Sequence, residues 1–325
     1  MSQNKRYNLP IPFGWYAVSP SGELENGAVK ALHYFDRELV LFRTESGEAK
    51  VLDAFCPHLG AHLGHGGSVV GESIACPFHG WQFSGEGMCE HIPYAEKKPA
   101  KVVDQACIRH YPTREDNHAI WVWYHPQDKA PQWPLEHIPE MFDLEYWSET
   151  HFREWVVNCH IQDTNENGVD KAHFAYVHTS PFVPSADVKV DGHRRVSEVQ
   201  GQSQAFDETG TPIKDQFMAH SFISKSWGPG FTWQRFQGAT DTMMMGTITP
   251  ISQEQVHMRF FFRYPKPETD MAALFTQGYM DEMCRQVEQD IQIWNYKCYQ
   301  PNPILCDGDG PIHQYRKWFS QFYVE

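Results

Sequence analysis

Between Trp15 and Tyr124 the hydrophobic positions fall in short β-branched and aromatic runs cut by glycine, serine and charged residues. The runs ELVLFRT, KVLDAF, IACPFHGWQF and AIWVWY read as strands of a small all-β domain. The proline-rich stretch HPQDKAPQWPLEHIPEMFD then reads as a linker. The expected division is residues 1–145 for the first domain with its linker and 146–325 for the second.

The second half has a different grammar. A helix is expected near residues 163–176, followed by long aromatic strands in DQFMAHSFISKSW, GFTWQRFQG, DTMMMGTITPI and EQVHMRFFFRYP. From about Thr269 to Tyr299, apolar residues recur every three or four positions. Met280, Met283, Cys284, Val287, Ile291, Trp294 and Cys298 form one stripe of a long helix. The fold class is therefore α+β: an all-β domain, then an antiparallel sheet with helices laid across it.

Composition narrows the function classes. The 325 residues carry 27 Lys plus Arg against 41 Asp plus Glu, a net charge of −14, which disfavours binding to nucleic acid or an anionic membrane. No apolar run is long enough to span a bilayer, and MSQNKRYNLPIPFGWY lacks the apolar core of a secretory signal. The eight cysteines are scattered, without the density of a disulfide scaffold. With 18 histidines beside them, a reduced cytoplasmic chain that uses some Cys and His as metal ligands is expected.

Two constellations have ligand spacing. The first is Cys56-Pro-His58, then 17 residues, then Cys76-Pro-Phe-His79, with glycines flanking both loops. Two thiolates and two imidazoles can hold zinc or a [2Fe–2S] cluster. Zinc fingers usually pair Cys with Cys and His with His, whereas each loop here supplies one of each. That arrangement suits a Rieske centre, in which both Cys bind one iron and both His the other. The second constellation is Asp170, His173 and His178, spaced D-x-x-H-x-x-x-x-H. On a continuous helix Asp170 and His173 share a face, while His178 must lie at or past the helix end. Two His and a distant carboxylate would form the facial triad of a mononuclear Fe(II) site. Glu288 and Asp290 both lie at edges of the terminal helix stripe, and periodicity does not choose between them.

The segments CPHLGAHLGHGG and CPFHGWQF resemble the Rieske domain of Rieske non-haem iron oxygenases. Respiratory-chain Rieske proteins carry an extra disulfide-bonded Cys in each loop, where this chain has Ala61 and Phe78. The opening FGWY, LDAFCPHLGAHLGHGGSVVG, and the tail PIHQYRKWFSQFYVE are similar to the steroid-acting branch, the 3-ketosteroid 9α-hydroxylase oxygenases and cholesterol 7-desaturases.

The resemblance implies a helix-grip second domain and a [2Fe–2S] cluster on Cys56, His58, Cys76 and His79. It also implies iron on His173, His178 and Asp290, since the family's late acid precedes a short apolar stretch as in DIQIW. Asp170 would bridge His79 of one subunit and His173 of its neighbour in a homotrimer. The chain would be a terminal oxygenase fed from NAD(P)H through a separate reductase or ferredoxin, since it has no G-x-G-x-x-G turn and no plant-type ferredoxin spacing. It would use O₂ to hydroxylate a steroid-like apolar substrate, or to desaturate a sterol or oxidise another aromatic compound. Phe217, Phe222, Phe231, Trp233 and Met243 to Met245 are candidates to line the apolar cavity, although such residues on strands also serve as ordinary core. The competing classes are a Rieske electron carrier and a zinc hydrolase built on Asp170, His173 and His178.

Overall fold

The structure, a computed structural model, describes residues 6–178, 185–206, 212–238, 241–267 and 269–324. The chain divides into two compact units, Phe13–His137 and Met1–Pro12 together with Ile138–Glu325. Among the described residues no helix is long and apolar enough to cross a membrane.

The Phe13–His137 unit is built from short strands: Gly14–Pro20 (β1), Val29–Tyr34 (β2), Arg37–Arg43 (β3), Ala49–Asp53 (β4), Ser68–Val70 (β5), Ser73–Ala75 (β6), Gln82–Ser84 (β7), Cys89–His91 (β8), His110–Tyr111 (β9), Thr113–Asp116 (β10) and Ala119–Tyr124 (β11). They form three antiparallel sheets, ordered β1-β11-β10, β2-β3-β4-β9 and β5-β6-β7-β8. Phe42, Leu52, Ile74, Trp81 and Phe83 share one core with Cys56 and Cys76, so the loops that follow β4 and β6 start from fixed positions. The Arg43 guanidinium grips the Glu115 carboxylate at 2.6 and 2.9 Å and holds it below the usual carboxylate range.

The other unit is one seven-stranded antiparallel sheet with helices. Its strands are His151–Val157 (β12), Ser185–Asp191 (β13), Arg194–Phe206 (β14), Pro212–Trp227 (β15), Phe231–Gln237 (β16), Thr242–Ser252 (β17) and Gln255–Arg263 (β18). The order is β12-β18-β17-β16-β15-β14-β13. The helices are Ile161–Glu166 (α1), His173–Tyr176 (α2), Asp270–Trp294 (α3) and Ile312–Phe319 (α4). Thr269 caps α3, its hydroxyl accepting from Ala272 N at 3.2 Å. Met280 and Cys284 of α3 pack on Met244, Phe262 and Tyr264, with Phe236, Phe260 and Trp155 alongside. Each such side chain contributes about 1.5–3 kcal/mol on burial, which outweighs helix propensity in holding α3 on the sheet.

Strand alternation corrects one expectation. Met244 faces α3, so Met243 and Met245, with their register partners Arg235 and Trp233, lie on the opposite face. Phe231 lies on that opposite face too, against Trp227, and Phe217 is exposed. The side chain of Phe222 lies outside the described residues.

Helix α1 is held from two directions and the turn that follows it from a third. Arg316 of α4 donates to both carboxylate oxygens of Glu166, at 2.7 and 2.8 Å, and both side chains are largely buried. Tyr7 donates to Asp163 at 2.9 Å, which ties the N-terminal segment to this unit. Gly310 approaches so closely that a Cβ there would lie 1.6 Å from the Val169 carbonyl, and only glycine leaves room. Gly310→Ala is expected to destabilise the unit by about 1–3 kcal/mol through overpacking. Gly308→Ala, whose nearest neighbour would be the Cys306 sulfur at 3.8 Å, should be close to neutral. Urea denaturation of the two variants checks the contrast.

Candidate metal centres

The loops CPHLG and CPFHG fold alike. In each, the glycine N–H donates to the carbonyl of the cysteine four residues earlier: Gly60 to Cys56 at 2.9 Å and Gly80 to Cys76 at 3.0 Å. Both glycines adopt positive φ, 78° and 71°, where a Cβ would be strained. The two cysteines are buried in the core while His58 and His79 lie nearer the surface. The imidazoles meet edge to face with ring centroids 4.8 Å apart, and His58 stacks on Trp81 at 4.7 Å. Burial pushes the Cys56 thiol up to about 12, and a hydrogen bond with the Cys76 thiol adds to the effect. The four side chains thus come from two short loops as a sulfur pair and a nitrogen pair, the donor set that fits a Rieske cluster.

The second set gathers in the other unit. One nitrogen of His173, one of His178 and an oxygen of Asp290 all lie within 4.8 Å of one another. Asp290 is 6 % exposed, whereas Glu288 sits on the exposed side of α3. The helix expected over 163–176 is broken: α1 ends at Glu166, a tight turn covers Asn167–Val169, and Asp170 is extended before α2 begins at His173. The Asn167-Gly168 pair supplies the break. Asp170 and His173 therefore do not share a helix face. Instead the Asp170 main-chain carbonyl accepts from His173 Nδ1 at 2.6 Å, and its carboxylate faces the His173 backbone N–H at 3.4 Å. His178 does lie past the end of α2.

These hydrogen bonds set the tautomers. A carbonyl only accepts, so His173 carries its proton on Nδ1 and turns the Nε2 lone pair inward. For His178, Gln289 Oε1 accepts from Nδ1 at 3.0 Å and Nε2 lies 3.4 Å from Asp290 Oδ1. Asn167 Nδ2 donates to His173 Nε2 at 3.1 Å and to Asp290 Oδ2 at 3.0 Å. Burial lowers the His173 pKa. Burial opposes charge at His178 as well, but the bonds to Asp290 and Gln289 outweigh it and raise the pKa. Two inward imidazole nitrogens and one carboxylate, with the outer nitrogens pinned, suit a divalent iron. Asn167 and Gln289 were not anticipated: Asn167 falls inside the helix expected near 163–176, and Gln289 lies 111 positions from the histidine it serves.

Comparison with known proteins agrees with both centres. Residues 14–112 match the Rieske [2Fe–2S] domain. Residues 122–323 match the 3-ketosteroid 9alpha-hydroxylase C-terminal domain. Cholesterol 7-desaturase of Caenorhabditis elegans is 33 % identical, over 97 % of this chain and 77 % of its own. The 3-ketosteroid-9-alpha-monooxygenase oxygenase component of Rhodococcus rhodochrous is 32 % identical, over 96 % and 84 %. Among solved structures, dicamba monooxygenase bound to dicamba superposes with a TM-score of 0.71 at 19 % identity, covering 95 % of this chain and 96 % of that one. NdmB of Pseudomonas putida CBB5 gives 0.72 at 18 %, covering 94 % and 89 %, and at these identities both show the fold alone. With both of its domains matched and a donor set present for each metal centre, the chain belongs to the Rieske non-haem iron oxygenases as a terminal oxygenase component, an oxidoreductase carrying a [2Fe–2S] Rieske cluster and a mononuclear iron.

Proposed function

We propose that this chain accepts electrons at a cluster on Cys56, His58, Cys76 and His79 and hydroxylates a steroid-like apolar substrate at iron held by His173, His178 and Asp290. The observation that carries the reading is the trio of inward-facing donors within 4.8 Å, two from α2 and its end and one from α3, which packs on Met244, Phe260 and Phe262 of the sheet. The relatives named for 3-ketosteroids and for cholesterol support the substrate class. The desaturase relatives favour a second reading at the same site, removal of two hydrogens from a sterol ring.

When bound, the two cofactors supply one-electron transfer and O₂ activation. The chain's own groups do the rest. Asp290 contributes one negative charge, and the Asp170 carbonyl and Gln289 hold the two Nδ1 protons so that both Nε2 atoms point inward.

The Phe13–His137 unit serves electron entry and the other unit the chemistry. Leu59 and Phe78, beside the two histidines, are 65 % and 61 % exposed, and Tyr94 near His79 is also exposed. This apolar rim favours a homotrimer in which a second copy covers it. In that assembly the Asp170 carboxylate of one copy would accept from His79 of the next and pass electrons toward His173. The donor is a separate reductase or ferredoxin drawing on NAD(P)H. The six cysteines outside the cluster, none in a disulfide, support a cytoplasmic setting.

Purified holoenzyme should contain iron and acid-labile sulfide at about three to two; zinc without sulfide would overturn the reading, and a ratio of about one would leave only an electron carrier. Asp290→Ala should lose the mononuclear iron and keep the visible spectrum of the cluster, while Glu288→Ala keeps both. Gln289→Leu should weaken Fe(II) binding by about 10–100-fold, measured by titration of the iron-depleted protein. Asp170→Ala should retain both metals and lose nearly all turnover with a generic reductase and a steroid panel, products being identified by mass. Normal coupled turnover would remove the bridge.

A further inference from the structure

Arg195 on β14 lies on the α3 side of the sheet, in register with Ser226 and, across the next strands, Thr232 and Gly246. It is only 4 % exposed, yet its Nη2 has no hydrogen-bond partner among the described residues. Its guanidinium sits over the Tyr315 ring of α4, 5.7 Å from the centroid. The Tyr315 hydroxyl is buried and has no partner either. Ser197, two residues along the same strand and face, is 1 % exposed with its hydroxyl equally unpartnered. On α1, which packs against α4, Gln162 Nε2 is a further orphaned donor.

Glu166 is engaged by Arg316. Asp163 Oδ2 accepts from Tyr7, while its Oδ1 lies 3.6 Å from Lys297 and has no hydrogen-bond partner among the described residues. Neither acid acts on Arg195, whose one charge partner is Tyr315. Burial lowers the Arg195 pKa, opposed only by Tyr315. An arginine does not discharge at any physiological pH, so it cannot escape the penalty of burial as a lysine or histidine would. A buried cation without a counter-charge is strongly destabilising, and donors here outnumber acceptors.

We propose that Arg195, with the Ser197 and Tyr315 hydroxyls, forms an internal site for a small monovalent anion taken from solvent, of the halide, nitrate or short carboxylate class. This site lies at the β14–α4 packing and uses none of the metal-centre side chains, so it stands apart from the functional reading above. Its consequence is structural: the bound anion neutralises Arg195 and joins α4 to the sheet, and α4 in turn holds α1 through Arg316.

The test uses holoenzyme exchanged into gluconate, a far bulkier anion than bromide, and titrated with bromide at constant ionic strength. Each tenfold rise in bromide above its dissociation constant should raise Tm by about 3–5 °C. Arg195→Met, similar in length and uncharged, should abolish this dependence and in gluconate should be at least as stable as the parent. Crystals of the unmodified holoenzyme soaked in bromide should show an anomalous peak in contact with the Arg195 guanidinium, a readout independent of whether any variant folds. Equal Tm in bromide and gluconate would overturn the proposal. So would electron density for a water or a protein carboxylate at that position with no anomalous peak.

Discussion

An imidazole offers a metal only one nitrogen at a time, and which one is decided by what holds the other. In this chain the Asp170 carbonyl and Gln289 Oε1 hold the Nδ1 protons of His173 and His178, and both Nε2 atoms consequently face Asp290. Much of the surrounding unit keeps those two acceptors in place. The Glu166–Arg316 pair, the Tyr7–Asp163 bond and the close approach of Gly310 to Val169 immobilise the segment leading to Asp170. The apolar stripe of α3 fixes the rotation of the helix that carries both Gln289 and Asp290.

The two units solve their ligand problems differently. In the Phe13–His137 unit the geometry is local, because each loop closes on itself through a glycine N–H to cysteine carbonyl bond and presents its Cys inward and its His outward. Burial penalises a thiolate far more than a neutral imidazole. A cluster held there would supply the metal charge that compensates the buried sulfurs, and the imidazoles can remain near the surface. In the other unit the candidate ligands come from segments over a hundred residues apart and meet within 4.8 Å at the ends of two helices.

The same sheet separates chemical surroundings by alternation alone. Met244 turns toward α3 while Met243 and Met245 turn away, so three identical neighbours in the sequence have two different environments. Along β14 to β16 the α3 side carries Arg195, Ser197, Ser224 and Gln234 beside Phe236, whereas along β17 and β18 it carries Met244, Phe260 and Phe262. A substrate lying over this face would meet both characters.

Much of the fold and of the site was legible from local pattern. The strand runs, the stripe of α3 and the C-x-H and C-x-x-H loops are each defined within a few residues, and local spacing constrains local geometry directly. Resemblance then selected Asp290 over Glu288, and burial separates the two in the structure. Other features depended on packing. The break at Asn167-Gly168 removed the continuous helix that would have aligned Asp170 with His173, and it leaves the Asp170 main-chain carbonyl as the acceptor for the ring nitrogen. The roles of Asn167 and Gln289, and the isolation of Arg195, arise from contacts between segments remote in the chain. The amino-acid order by itself determined which residues could be ligands and which faces would be apolar, since both follow from short-range periodicity. Only the tertiary structure decided which hydrogen-bond acceptor each histidine finds and which buried charge is left without a partner, because those depend on how distant elements fill the same space.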